Sequence, residues 1–301
     1  MGRWLQTEPC RQRRATPSHR ARTLMRFFVV GSGRCGTTML WRMLNLHPDL
    51  FVFRETHWHP KLFELHGLGT APPAEMLDVV ERTCFIEGQP TTAIDAELRA
   101  ALLGLGPKVT VRQFSDALGQ TLAAREGKTL WADKTPDYTN FLDTLQLIFD
   151  ETKIVHLVRD GRAVARSMSH HPGYRWLASA GELSWVPASF NGYHSAIESR
   201  EKIPLDTFAR LWRQRIHRAR EGATRLRADT YREFRYEDFV THPETTLQAL
   251  AAFVDVRPDA LWIGQATQLV DSSRMNSAAG PHVPMGPEEL ALQQDLGYLQ
   301  G

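Results

Sequence analysis

A chain of 301 residues with 42% hydrophobic side chains is long enough to bury a sizeable core, as one large domain or two small ones. No run approaches the roughly 18 uninterrupted apolar residues of a transmembrane helix, and three cysteines (Cys10, Cys35, Cys84) without metal-ligand spacing exclude a disulfide framework and suit a reducing compartment. The formal charge of +2 is unevenly spread, with seven arginines against one glutamate in the first 26 residues, and basic charge confined to a tail argues against a nucleic-acid-binding face.

Residues 1–25 have no apolar stretch of the kind a secretory leader needs. They read as a basic, disordered extension, with an arginine-rich targeting peptide as the alternative. Met25 then opens the folded part, and residues 26–301 are expected to form a single domain. The first strand, RFFVV at 26–30, runs into a glycine-rich turn. Written as a pattern, Gly31-x-x-x-x-Gly36-Thr37-Thr38 departs by one residue from the phosphate-cradling G-x-x-x-x-G-K-[ST] loop, because Thr37 stands in the lysine slot. A strand turning into a helix there aims backbone N–H groups at one point and adds the positive end of a helix dipole. Gly33, Arg34, Cys35, Gly36, Thr37 and Thr38 are therefore the candidate anion site. Cys35 is expected to act as a small spacer rather than a nucleophile. The plainer reading is a strand–helix turn with incidental glycines.

The second strand, 50–54, leads into RETHWHP and leaves Glu55 just past its end. A glutamate there can accept a proton from a hydroxyl if burial raises its pKa towards working pH. His57 and His59 compete for that role, and pairing of Glu55 with an arginine is the structural alternative. His57-x-His59 has no third ligand at convincing spacing, so no metal is expected. The third strand, 129–133, delivers Lys134, suited to neutralising charge on a leaving group unless it merely forms a surface pair with Asp133. Thr135-Pro136 reads as a helix start, with Tyr138, Phe141, Leu142, Leu145, Ile148 and Phe149 following at helical spacing.

The strand at 153–158 ends in Arg159, with Asp160 as the cap of the next helix. Ser167 lies about two turns along it, roughly 10 Å up the axis. Arg159 and Ser167 are candidates for a second phosphate, against an Arg159–Asp160 pair. Further on, Phe208, Leu211, Trp212, Ala219, Ala223 and Leu226 mark a long helix whose many arginines read as a solvated face. A strand at 231–236 follows, and Thr241-x-x-Glu244 fits a capping box ahead of Leu247, Leu250, Ala251 and Val254. Strands alternating with helices imply an α/β fold, a parallel β-sheet flanked by helices, whose ligands sit beyond the carboxyl ends of the strands.

Together these pieces resemble the sulfotransferases that use 3′-phosphoadenosine 5′-phosphosulfate (PAPS). The resemblance spans roughly residues 26–275. Arg34-Cys35-Gly36-Thr37-Thr38 is similar to the family's phosphosulfate loop, and Arg159 with Ser167 to its 3′-phosphate site. VRDGRAVARSM and RETHWHP look most like the tyrosylprotein enzymes, while Glu55-Thr56-His57 also resembles the heparan sulfate O-sulfotransferases; in both groups this glutamate is the base. Lys134 in DKTP matches a lysine that contacts the transferring group, and residues 234–256 resemble the RYEDL segment. The resemblance implies a P-loop-like fold, PAPS as co-substrate, no metal, and transfer to a hydroxyl of a sugar, lipid, peptide or small natural product. PAPS has no γ-phosphate, which explains a loop without the triphosphate-reading lysine.

Two departures stand out. The tyrosylprotein enzymes carry an arginine where this chain has His57, which argues against peptide recognition on their pattern. They are also membrane-anchored and luminal, whereas no anchor is evident here and the cytoplasm is expected. Segments 56–128 and 169–205 should build the acceptor pocket, with Trp58, Phe63, Trp176 and Trp185 as aromatic walls or as core, and Ser272–Arg274 raises the question of closure over the nucleotide. The competing functions are a P-loop kinase or NTPase, opposed by the missing loop lysine and by the want of an apolar strand ending in a Mg²⁺-binding Asp, and a non-enzymatic nucleotide- or polyanion-binding protein.

Overall fold

Apolar residues occupy both faces of the central strands, so the sheet needs cover on both sides. A computed structural model describes residues 25–85, 88–181, 202–275 and 280–299. Its strands are β1 (Met25–Gly31), β2 (Leu50–Phe53), β3 (Thr70–Ala71), β4 (Val109–Thr110), β5 (Leu130–Lys134), β6 (Lys153–Val158) and β7 (Tyr231–Arg235). Five of them form one all-parallel sheet in the order β2-β5-β1-β6-β7, as the alternation of strands and helices predicts. β3 and β4 make a separate antiparallel pair of two residues each, too short for any periodicity to reveal.

The two-residue side-chain period divides the core. Phe27 and Val29 of β1, with Val155 and Leu157 of β6, face one layer, which contains residues of helices Thr37–Asn45, Gly161–Ser169, Pro243–Phe253 and Ala260–Thr267. Phe28 and Val30, with Ile154, face the other, built with helices His59–His66, Pro73–Arg82, Ala96–Leu103 and Val111–Arg125. The long helix Leu205–Ala223 contributes Phe208, Leu211, Trp212 and Ile216 to the first layer and Ala219 to the second.

Several local expectations need correction. The helix expected from Thr135-Pro136 is broken. A 3-10 turn, Pro136–Asn140, precedes the α-helix Leu142–Ile148, and the Thr135 hydroxyl bonds Asp133 instead of capping. Thr241 ends the helix Tyr236–Thr241, and its hydroxyl donates back to the Glu237 carbonyl, so the box with Glu244 does not form. Leu247, Leu250, Ala251 and Val254 are nevertheless buried together. Among the arginines of the long helix, Arg215 is fully buried instead of solvated. Trp58 is also core, its indole donating to Thr92, and Phe63 and Trp176 pack partly buried against the two layers. Trp185, the extension through residue 24 and the Arg274 side chain lie outside the described residues.

At the sheet's β2 edge, Val52 N–H donates to Asn45 Oδ1 at 3.0 Å, and Val52 C=O accepts from Asn45 Nδ2 at 3.0 Å and Trp41 Nε1 at 2.7 Å. Among the described residues, no helix is long and apolar enough to cross a membrane.

Candidate active site

β1 ends in the glycine loop, and the chain there takes three left-handed steps, at Gly33 (φ 78°), Arg34 (φ 54°) and Gly36 (φ 101°). Glycine is demanded twice by space as well as by φ. A Cβ on Gly33 would overlap the Tyr174 hydroxyl, and one on Gly36 would come 2.2 Å from the Tyr236 ring. Arg34 adopts the same region despite its side chain, a strained conformation of the kind that collects at binding sites. The helix begins at Thr37, so its amino end opens at the carboxyl edge of the sheet.

A cavity of about 840 Å³ lies over this edge. Of the predicted residues, Arg34, Gly36, Thr37, Thr38, Arg159 and Ser167 line it together with Glu55 and His57. The loop and the β6 end are tied together. Arg34 Nε donates to Ser167 Oγ at 3.1 Å, and Arg159 reaches the Arg34 carbonyl at 3.5 Å while its guanidinium lies 4.1 Å from the Tyr236 ring centroid. Asp160 is engaged by Arg162, from the backbone N–H at 2.8 Å and from Nη2 at 2.7 Å, so the alternative Arg159–Asp160 pair is not what forms. Gly33 and Cys35 do not line the cavity. Cys35 points into the core, where burial pushes its thiol pKa up, against the charge pattern of a nucleophile.

Lys134 Nζ donates to Glu55 Oε1 at 2.6 Å, and His57 Nε2 lies 3.2 Å from Glu55 Oε2. Lys134 is fully buried behind Glu55 and does not itself line the cavity, which overturns the surface pair with Asp133. The Glu55 side chain is 27% exposed. Burial alone would raise its pKa, as the sequence reading expected. The Lys134 ammonium and the His57 contact outweigh burial, and the carboxyl is held well below the usual carboxylate range. Glu55 is thus ionised in this arrangement.

The two histidines separate. His57 turns into the cavity through a left-handed backbone (φ 59°), with Nδ1 3.9 Å from Asp137 Oδ2. His59 is fully buried among Asp133, Thr56 and Tyr138, and burial lowers its pKa against the pull of Asp133. It does not reach the cavity, which removes it as a rival base. Asp137 is ion-paired with Arg215, whose pKa burial brings down to about 10, so it remains a cation at neutral pH.

Other lining residues escaped the sequence reading: Arg42, Arg54, Phe85, Gln89, Asp137, His171, Tyr174, Tyr236, Leu269 and Asp271. Tyr236 lies within a quoted motif, but nothing in the string shows that its ring would carry Arg159. Leu269 and Asp271 bring the segment just before Ser272–Met275, a 3-10 turn, to the cavity wall. Among the described residues no group of three or more His, Cys, Asp or Glu side chains is arranged to hold a metal ion.

The family model described as "Sulfotransferase family" matches residues 26–259. The chain is 24% identical over 246 residues to protein-tyrosine sulfotransferase 1 of Danio rerio, covering 81% of this chain and 57% of that protein. It is 30% identical over 145 residues to nodulation protein NoeE of Sinorhizobium fredii, covering 47% of this chain and 30% of NoeE. The chain therefore spans little more than half the length, or less, of these relatives. Among solved structures, the sulfotransferase domain from the curacin biosynthetic pathway aligns with a TM-score of 0.62 at 20% identity, over 93% of this chain and 100% of that one, which supports the fold.

Proposed function

The chain belongs to the sulfotransferase family, and from that premise we propose that it transfers the sulfuryl group of PAPS to a hydroxyl of an acceptor, with Glu55 as general base. The observation that carries the reading is that one cavity is lined both by an ionised glutamate, paired with a buried lysine, and by a glycine loop joined to Arg159 and Ser167. The cavity has donors for a nucleotide with anionic groups at two places. Loop N–H groups, Thr37, Thr38 and Arg34 would hold the phosphosulfate, and Arg159 with Ser167 the 3′-phosphate.

Glu55 takes the acceptor hydroxyl proton as that oxygen bonds to sulfur. The bond from sulfur to the 5′-phosphate oxygen breaks, its electron pair stays on the phosphate, and Arg34 and Lys134 stabilise that charge. The tight Lys134 contact makes Glu55 a weak base at rest. Lys134 would have to turn past Glu55 to meet the developing phosphate charge, and that turn would remove the partner that depresses Glu55 and raise its basicity when the proton must move. His57 orients Glu55 and meets the acceptor. We assign no metal to this chemistry. The two free described cysteines, Cys35 and Cys84, support a reducing, cytoplasmic setting, and residues 26–301 are taken as one catalytic unit.

The test uses the full chain with ³⁵S-labelled PAPS and a panel of phenols, sugars, lipids and peptides. Thermal shift with 3′-phosphoadenosine 5′-phosphate (PAP) and with ATP, each with and without Mg²⁺, is measured in parallel. Label transfer and Mg²⁺-independent stabilisation by PAP support the proposal. Mg²⁺-dependent stabilisation by ATP alone would return the chain to the kinase or NTPase reading.

A further inference from the structure

Beneath the cavity lies a group that the reaction scheme above does not use. Arg215 occupies the middle of the apolar stripe Phe208, Leu211, Trp212, Ile216 and Ala219 and is fully buried. Its guanidinium forms an ion pair with Asp137 Oδ1 and lies 5.5 Å from the Tyr174 ring centroid, yet none of its three nitrogens makes a hydrogen bond among the described residues. A buried, incompletely satisfied cation is a liability to stability, and an apolar side chain of similar length would suit the stripe better. Its presence therefore calls for a role that packing does not supply.

That role is visible in what the pair faces. Asp137 sits on the 3-10 turn Pro136–Asn140, is almost fully buried, and lines the cavity. Its Oδ1 is held by Arg215, which leaves Oδ2 facing His57 Nδ1 at 3.9 Å, an ion-pair distance too long for a hydrogen bond. The other ring nitrogen of His57 is 3.2 Å from Glu55 Oε2, while Glu55 Oε1 is held by Lys134. Five residues thus follow one another, Arg215, Asp137, His57, Glu55 and Lys134, with a carboxylate on either side of the His57 ring and a fully buried cation at each end.

We propose that Asp137, locked by Arg215, is a positioning residue that turns the His57 ring Nδ1 towards itself and Nε2 towards Glu55, and so keeps the Glu55 carboxylate facing the cavity. The catalytic consequence rests on the sulfuryl-transfer reading; the orientation of the ring does not. Carboxylates flank both ring nitrogens, Glu55 at 3.2 Å and Asp137 at 3.9 Å, and each is met favourably only by an N–H, so the charge of Asp137 acts on how the ring lies between them.

The experiment compares Asp137→Asn, Arg215→Met and the double variant in the full chain by kcat, PAP affinity, melting temperature and ¹⁵N NMR of the imidazoles. The His57 signal is assigned by its loss in His57→Asn. Asp137→Asn should shift the His57 ring nitrogens and lower kcat at least tenfold, with PAP affinity changed less than twofold. Arg215→Met should melt well below the wild type, because Asp137 is left buried without its cation. The double variant should recover most of that melting temperature while its kcat stays as low as in Asp137→Asn. An unmoved His57 signal or a wild-type kcat in Asp137→Asn would overturn the proposal, as would full recovery of kcat in the double variant, which would reduce the pair to charge compensation. If the wild type transfers no sulfuryl group, the function proposal fails, and the ring signals and melting temperatures still judge this one.

Discussion

Lys134 Nζ and Glu55 Oε1 meet at 2.6 Å, a fully buried ammonium against a carboxylate that keeps a quarter of its side-chain surface open to the cavity. The asymmetry matters. The lysine is enclosed, while the glutamate reaches the cavity wall.

Glu55→Gln keeps the shape of that contact and removes the basicity. Turnover should fall by roughly 10²–10⁴-fold with PAP affinity almost unchanged. His57→Asn should cost less, because its assigned role is to orient and contact. Steady-state kinetics with labelled donor, beside PAP titration calorimetry, checks both. A dead His57→Asn with near-normal Glu55→Gln would move the base to the histidine.

Arg159→Ala tests the second anion site. Charged hydrogen bonds contribute about 1.5–3 kcal/mol, so PAPS and PAP should each bind at least tenfold more weakly. Adenosine 5′-phosphosulfate, which lacks the 3′-phosphate, should be nearly indifferent to the change. Equal losses for all three nucleotides in calorimetry would place Arg159 elsewhere on the ligand.

Gly36→Ala tests the loop. The new Cβ meets the Tyr236 ring and the backbone remains at φ 101°, a combination costing on the order of 1–3 kcal/mol. Melting temperature and PAP affinity should both fall. Adding Tyr236→Ala removes the collision but not the backbone strain, so stability should return only in part. Full recovery in the double variant would show that crowding alone demands the glycine.

Acid should destabilise the fold through carboxylates held below their ordinary pKa. Burial tends to raise Glu233, but bonds from Arg220 at 2.8 and 2.9 Å and from His156 at 3.2 Å hold it well down. Glu55 and Asp160 shift in the same direction. A folded pKa below the unfolded one stabilises above the unfolded value, about 4.3 for Glu, and that contribution is lost as pH falls through the folded pKa. Melting temperature should therefore vary little between pH 7 and about 5 on account of these groups, then drop below about pH 4. Glu233→Gln should melt lower than wild type at pH 7, with the gap narrowing in acid. A gap that stays constant down to pH 2 would mean that the charge of Glu233 contributes nothing.

The five sheet strands could be read within a residue or so: β1, β2, β5 and β6 carry apolar runs that a glycine, a charged residue or a turn brings to an end, and β7, Tyr231–Arg235, mixes charged and aromatic residues. The glycine loop and the edge on which Glu55, Lys134 and Arg159 emerge followed from that order. What stayed hidden depends on direction and depth. His57 and His59 are two residues apart, and the left-handed backbone at His57 decides which one turns to the cavity. Arg215 carries a readable signal: positions 208, 211, 212, 215, 216 and 219 share one helical face, which places an arginine at 215 among buried residues. Tyr174 and Phe85 come from segments with no recognised motif, and only tertiary packing brings them to the cavity.

The side chains of Asn45 and Trp41 occupy both backbone groups of Val52 along the outer margin of β2. An outermost strand normally offers a free template on which another chain can add a strand, the first step of sheet-to-sheet aggregation. Here an asparagine amide mimics the missing neighbour with its own donor and acceptor, so the template is already occupied at its middle. Self-association of this protein would then have to proceed through side-chain surfaces rather than by lengthening the sheet at β2. Removing the Asn45 amide would trade a soluble margin for an adhesive one without touching the chemistry.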